Sequence, residues 1–253
     1  MILAAAVALT GCKIEDAEWH DPTYRGYFMF QYANYDILSA MSHATRVLFF
    51  DLYYSAPEEE RETIHNRYFY KSRIYNTDDE WHIVNADYEL IIYTGGKSLY
   101  EIGTTWRYCY ANAQYSDEND MPSLTSRAKE DVAYDAVCYD YKLPYDRGLL
   151  KIDPLYKGQG QSDGTVRYWI EAKVEGAGKY TEKTVGPDLL GTIEYEIVKP
   201  LSYNSWRLNF SEGEMKLSSL FSDGEREAEA KYFSDGDRQS VVITYNGSKK
   251  VYY

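Results

Sequence analysis

The segment TVRYWIEAKV, residues 165–174, alternates apolar and polar side chains with a period of two. Val166, Tyr168, Ile170, Ala172 and Val174 fall on one side of an extended chain, and Arg167, Trp169, Glu171 and Lys173 on the other. This is the pattern of an antiparallel strand with one face on a core and the other in water. Working outward from it, further strands are expected at 68–75, 81–85, 88–94, 105–110, 132–141, 192–198, 205–210, 214–220, 225–232, 239–245 and 249–253. Hairpin chemistry punctuates them: Gly95-Gly96, Asn246-Gly247, and Ser-Asp-Gly at 162–164, 222–224 and 234–236. Asn-Gly is the strongest of these signals, because both residues tolerate the positive φ of a tight hairpin turn. The flanks of the Ser-Asp-Gly turns do not match one another over a repeat length, so no repeat architecture follows.

Upstream the period changes. Ile37, Met41, Ala44, Leu48 and Leu52 recur at helical spacing, and Leu38, Ala40, Val47 and Phe49 widen the apolar face. A well-buried helix is expected from about Asp36 to Tyr54, capped by Asn34 or Asp36. Ser55 and Glu58 have capping-box spacing, and Glu58, Glu59 and Glu60 suit the positive end of a second short helix ending near Asn66. Two stretches, 114–131 and 144–161, read as loops from their polar, Pro- and Gly-containing composition. The fold class is therefore mainly β (α+β): an N-terminal helical hairpin followed by antiparallel sheets, arranged as a sandwich or barrel-like meander. Residues 31–145 would hold the hairpin and a first sheet, and 146–253 a C-terminal meander that can form one domain with it.

The N-terminus carries a different kind of signal. The apolar run Ile2–Leu9 leads into Leu9-Thr10-Gly11-Cys12. These residues resemble the bacterial lipobox, and the chain resembles cell-surface lipoproteins of the Bacteroidota. The resemblance implies a signal peptide over 1–11, cleavage before Cys12, and a diacylglyceryl group on the Cys12 thiol. Residues 12–30 would then form a lipidated tether. Lys13 stands where enteric lipoproteins retained at the inner membrane carry Asp, and Glu15, Asp16 and Glu18 resemble an acidic surface-export signal. The implied address is the cell envelope, as an outer-membrane lipoprotein displayed at the surface, with the membrane as partner through Cys12. The bland alternatives are a chance cysteine and a solvated polar tether. No basic residue precedes the run, whereas secretory signals begin with one, so an upstream start is expected. The run is far shorter than the roughly 20 residues that span a bilayer.

Composition excludes some partners. A net charge of −13 argues against nucleic acid, which needs a basic footprint, and against adsorption on anionic lipid. Tyrosine is the outlier, at 28 residues against eight phenylalanines. Tyrosine suits half-buried strands, and it also suits binding surfaces. With Cys12 set aside, Cys109 and Cys138 remain as a candidate disulfide, which needs Cα atoms within about 7 Å. Otherwise they are free thiols packed as small apolar groups.

Candidate chemistry is sparse. His20, His43, His65 and His82 are scattered without metal-ligand spacing. Asp223, Asp235 and Asp237 sit in Asp-Gly turns, which can ligate calcium but are ordinary turn chemistry. Among 40 acidic residues no carboxylate pair stands out, so no catalytic residue, metal or cofactor is assigned. Trp81, Trp106, Trp169 and Trp206 lie on strand-like segments. Trp169 is the most informative, because it shares the polar face with Arg167 and Glu171, a grouping suited to a glycan, peptide or protein ligand. A hydrolase with an unrecognised carboxylate site and a structural accessory subunit of an outer-membrane complex are the competing readings.

Overall fold

The computed structural model describes residues 21–77, 80–93, 103–110, 115–128, 137–160, 162, 166–180, 192–221, 223–235 and 238–253. Helix α1 (Tyr24–Ser55) and helix α2 (Glu58–Tyr68) precede fourteen strands that form a single antiparallel sheet. The strands are β1 (Arg73–Asn76), β2 (Glu80–Val84), β3 (Tyr88–Tyr93), β4 (Thr105–Tyr110), β5 (Ser123–Ala128), β6 (Val137–Lys142), β7 (Gly148–Gly160), β8 (Val166–Tyr180), β9 (Ile193–Asn204), β10 (Asn209–Phe210), β11 (Gly213–Phe221), β12 (Gly224–Asp235), β13 (Arg238–Tyr245) and β14 (Ser248–Tyr252). Each pairs with the next in sequence, except that β11 skips the short β10 to pair with β9. No ladder joins β1 to β14 among the described residues. The mainly β expectation holds, as one antiparallel meander among the described residues.

The sheet is wrapped along α1. Near the helix start, Tyr27 stacks on Tyr252 of β14 at 3.8 Å. A Cβ on Gly26 would come within 2.9 Å of Tyr245 on β13, so glycine lets helix and sheet approach there. Mid-helix, Asp36 meets Tyr195 of β9 and Arg147 beside β7. Toward its end, Arg46 meets Tyr108 of β4 and Phe50 packs on Trp81 of β2. The helix thus crosses the strands in reverse order. Its 32 residues span about 48 Å. Its buried positions, Gly26, Met29, Phe30, Ala33, Ile37, Ala40, Met41 and Ala44 among them, recur at three- and four-residue spacing and form a broad face on the sheet, while Gln31 and Tyr35 on the opposite side are exposed. Among the described residues no helix is long and apolar enough to cross a membrane.

The helix is longer than its periodicity suggests. It begins at Tyr24, so 24–30 belong to the folded core and not to a tether; Met29 and Phe30 are buried. Asn34 and Asp36 are therefore interior residues and cap nothing. The start is fixed by Asp21, whose carboxylate accepts from the Thr23 amide at 2.9 Å, from Lys250 at 2.7 Å and from Tyr252 at 2.7 Å. Burial works against the charge, but these donors outweigh it and hold the Asp21 carboxyl far below the usual range. Ser55 does not cap α2 either. Its hydroxyl donates back to the Asp51 carbonyl at 2.7 Å, and α2 starts behind Pro57 without a side-chain cap.

Both expected loops contain a strand. β5 lies within 114–131, and the 13-residue β7 fills most of 144–161. Pro154 is tolerated in β7 because β6 pairs only with Leu149–Ile152. Among the described residues no ladder bond from β6 falls at Pro154, so on that side its missing N–H costs none. The chain shows no break at 146, since β6 pairs with β7 and one apolar cluster runs from α1 through strands β2 to β13.

The interior tyrosines answer polar residues of α1. Tyr232 donates to Asn34 at 2.6 Å, Tyr195 to Asp36 at 3.2 Å, and the Tyr108 hydroxyl accepts from Arg46 at 2.6 Å. Tyr141 bonds His43 and Tyr139 bonds Asp51. A phenol reaches from the sheet to the helix and ends in a hydrogen-bonding group. Much of the tyrosine excess is therefore core chemistry.

Candidate functional site

The β8 alternation holds in three dimensions. Ile170, Ala172 and Val174 are buried and Tyr168 is half-buried, while Arg167 and Lys173 are exposed and Trp169 and Glu171 half-exposed. Register then decides what surrounds Trp169 on the outer face. Lys157 of β7 lies opposite Trp169, and Leu155 lies opposite Glu171, which pairs in turn with Asn204 of β9. The chain leaves β9 through a turn over 205–208 that is pinned to β8. The Ser205 amide donates to the Ile170 carbonyl, and the Ile170 amide donates to the Ser205 hydroxyl, each at 2.8 Å. The Asn204 side-chain Oδ1 accepts from the Trp206 amide at 2.9 Å.

That turn carries Trp206 back over β8. The Arg167 guanidinium lies 3.3 Å from the Trp206 ring centroid, and Trp169 meets Trp206 edge-on with centroids 6.2 Å apart. The Trp169 indole N–H donates to Glu171 at 3.3 Å, and Glu171 faces Lys157 at 3.9 Å. Trp206 is 49% exposed, Leu155 55% and Leu208 68%. The result is an outer-face patch of Trp169, Trp206 and Leu155 with Arg167, Lys157 and Glu171. Behind it, the Tyr68 hydroxyl of α2 bonds both the amide and the carbonyl of Tyr168 at 3.2 and 3.1 Å, which fixes this end of β8.

Sequence reasoning placed Trp169, Arg167 and Glu171 together, and the structure brings them together. Trp206 joins them from a turn over 205–208, within the strand expected over 205–210. The other tryptophans are elsewhere: Trp106 is in the core, and Trp81 packs against Phe50 and Tyr54.

The remaining candidates are accounted for by their surroundings. Cys109 and Cys138 are free thiols, and the paired-cysteine expectation gives way to the second reading. Cys138 lies opposite Arg127 on β5, while Thr125 lies opposite Thr105 on β4. Cys109 therefore sits about six positions further along the sheet, roughly 20 Å at 3.4 Å per residue. Cys109 touches Met121 at 3.9 Å, and burial, with the Glu89 charge, pushes its thiol pKa up. Asp223 is held by Arg25 at 2.9 Å and Arg226 at 3.0 Å. Cys12, His20 and Asp237 lie outside the described residues, as does the side chain of Asp235. Among the described residues no cluster of three His, Cys, Asp or Glu side chains could hold a metal.

His43 is a core residue. It is bonded to Tyr141 and stacked on Tyr108 at 3.6 Å, and burial with the nearby Arg46 charge lowers its pKa well below the usual value. His82 sits between Glu89 at 2.8 Å and Glu80 at 3.3 Å. The sequence is expected to hold no nucleophile elbow, yet Gly160-Gln161-Ser162-Asp163-Gly164 has Gly-x-Ser-x-Gly spacing. It joins β7 to its antiparallel partner β8, whereas a nucleophile elbow joins a strand to a helix. No protein-family model matches this chain, and comparison with curated proteins and with solved structures gives no match.

Proposed function

We propose that the chain is a lipid-anchored cell-envelope protein that acts as a non-catalytic binding module, with the outer-face patch around Trp206 docking a protein or peptide segment. The observation that carries this reading is the composition and exposure of the patch. Exposed Trp206 beside Arg167 joins the aromatic and arginine side chains in which protein hot spots are enriched. A glycan stacked on Trp206 fits less well, because Arg167 already covers one ring face. The Leu9-Thr10-Gly11-Cys12 motif supports the anchor, and two or three acyl chains on Cys12 would hold the module firmly, since each buried CH₂ contributes about 0.8 kcal/mol.

Photo-crosslinking tests the docking face. With a benzophenone side chain in place of Leu155, discrete crosslinked species are expected in cells, and Trp206→Ala should remove them. Equal crosslinking from Glu229, on the outer face of β12, would sink the assignment. For the anchor, palmitate labelling of the full reading frame should vanish in Cys12→Ser, and labelling that persists would refute it.

A further inference from the structure

A second concave site lies away from the tryptophan patch, where the connection from β6 to β7 folds over the middle of α1. The cleft encloses about 380 Å³, and its lining includes Tyr35, Asp36, His43, Tyr141, Tyr145 and Arg147. This lies at the small end of the range for small-molecule sites, about 300–1,000 Å³. Its floor is charged but neutral in sum. Arg147 donates to Asp36 at 2.9 Å, and Tyr195 donates to the same carboxylate at 3.2 Å. Its rim is aromatic, with Tyr35 66% and Tyr145 51% exposed.

The rim is also strained. Tyr145 and Asp146 are consecutive non-glycine residues in the left-handed region, with φ of 58° and 52°. Such conformations persist only where the surroundings enforce them, and they concentrate at binding sites. Here the turn is held from both sides. Arg147 Nε donates to the Pro144 carbonyl at 3.1 Å, and the Lys179 amide of β8 donates to the Arg147 carbonyl at 2.8 Å. The effect is to hold the Tyr145 ring at the mouth of the cleft.

We infer that this cleft binds a neutral saccharide unit. The net charge of −13 repels anions from the surface, and the Asp36 carboxylate is already engaged by Arg147 and Tyr195, so the floor offers a cation no net charge. A purely hydrocarbon ligand would have to cover the Asp36–Arg147 pair without satisfying it. A sugar ring has an apolar face for the phenol rings and hydroxyls for the polar floor, and it carries no charge. The cleft has room for a single residue or the end of an oligosaccharide, not for a polymer passing through.

The test is an array of neutral, uronic-acid and sialylated glycans probed with the full chain. Binding to neutral glycans is expected. Tyr35→Ala and Tyr145→Ala should each weaken it at least tenfold, with Trp206→Ala unchanged. Both rings are largely exposed, so thermal melts should show both variants folded. Paramagnetic broadening by a spin-labelled neutral glycan, read at Tyr35 and Tyr145 in the unmodified chain, gives the same answer without substitution. Absence of neutral-glycan binding, preference for charged glycans, or broadening away from these residues overturns the inference. Loss with Trp206→Ala alone would place the glycan on the tryptophan patch instead, and the crosslinking result stands or falls separately.

Discussion

Asp51 on α1 is enclosed between the helix and β6, and burial raises its pKa from the ordinary 3.8 to about 7, against the partial relief of the Tyr139 hydroxyl. One of its carboxylate oxygens has no hydrogen-bond partner. At about 1.4 kcal/mol per pH unit, a rise of that size is worth roughly 4 kcal/mol; allowing for its partial exposure, about 2–4 kcal/mol is expected. The sign follows from linkage. The folded pKa lies above the unfolded one, so the folded state holds the proton more tightly. This contribution to stability is complete below about pH 4 and is lost as the pH rises through 7. Asp51→Asn removes the titration. The variant should therefore gain on the parent by about 2–4 kcal/mol between pH 4 and pH 8, or about 5–15 °C in Tm for a chain of this size. Any fixed cost of the new amide is present at both pH values and cancels in the difference. Urea denaturation at closely spaced pH values reads it directly. A stability difference that stays flat from pH 4 to pH 8, or one that moves in the parent's favour over that range, would refute the reasoning.

Arg147→Met leaves the Asp36 carboxylate buried with only Tyr195 beside it. It should cost about 3–5 kcal/mol near neutral pH and less at pH 4, because burial already pushes the Asp36 pKa upward. Asp36→Asn in the same chain should recover part of the loss, and denaturant melts of the single and double variants check this. For the cysteines, alkylation in denaturant without reductant should modify both Cys109 and Cys138, while the native protein shields Cys138. A Cys109–Cys138 linked peptide in the digest would contradict the strand register.

Much of the β half was legible because its signals are local. The alternation of Val166 to Val174 and the Asn246-Gly247 turn each name their own structure, and the strands appear where those signals lie. Where a strand's signal depended on its neighbours, it was not readable. β7 contains Pro154, Gly158 and Gly160, and it is a strand because the long β8 pairs with it from Gly148 to Gly160. The start of α1 was missed because Tyr24 to Tyr35 mixes aromatic and polar residues in no single stripe. The buried positions there do keep the helical period, at Gly26, Met29, Phe30 and Ala33, but the aromatic residues between them, Tyr24, Tyr27, Phe28 and Tyr32, hide it. At the site, Arg167, Trp169 and Glu171 were visible as one face of one strand. Trp206 reaches them through a turn, and the Asp36–Arg147 cleft joins residues 111 positions apart.

The polar residues along α1 have a further consequence for how the chain finds one structure. A helix apolar on every side could rotate or slide within a curved sheet with little change in buried area. Asn34, Asp36, His43, Arg46 and Asp51 remove that freedom. Each meets a tyrosine from a different part of the sheet, on β12, β9, β6, β4 and again β6. Advancing the helix by one residue turns each of these groups by about 100° and strands it without its hydroxyl, at about 1–3 kcal/mol for each orphaned group. Phenylalanine at the same strand positions would fill the space equally well and leave the helix position unspecified. The preference for tyrosine over phenylalanine in this chain is thus a means of fixing helix register, and the cleft beneath Tyr145 depends on it, since its floor exists only where Asp36 comes level with Arg147.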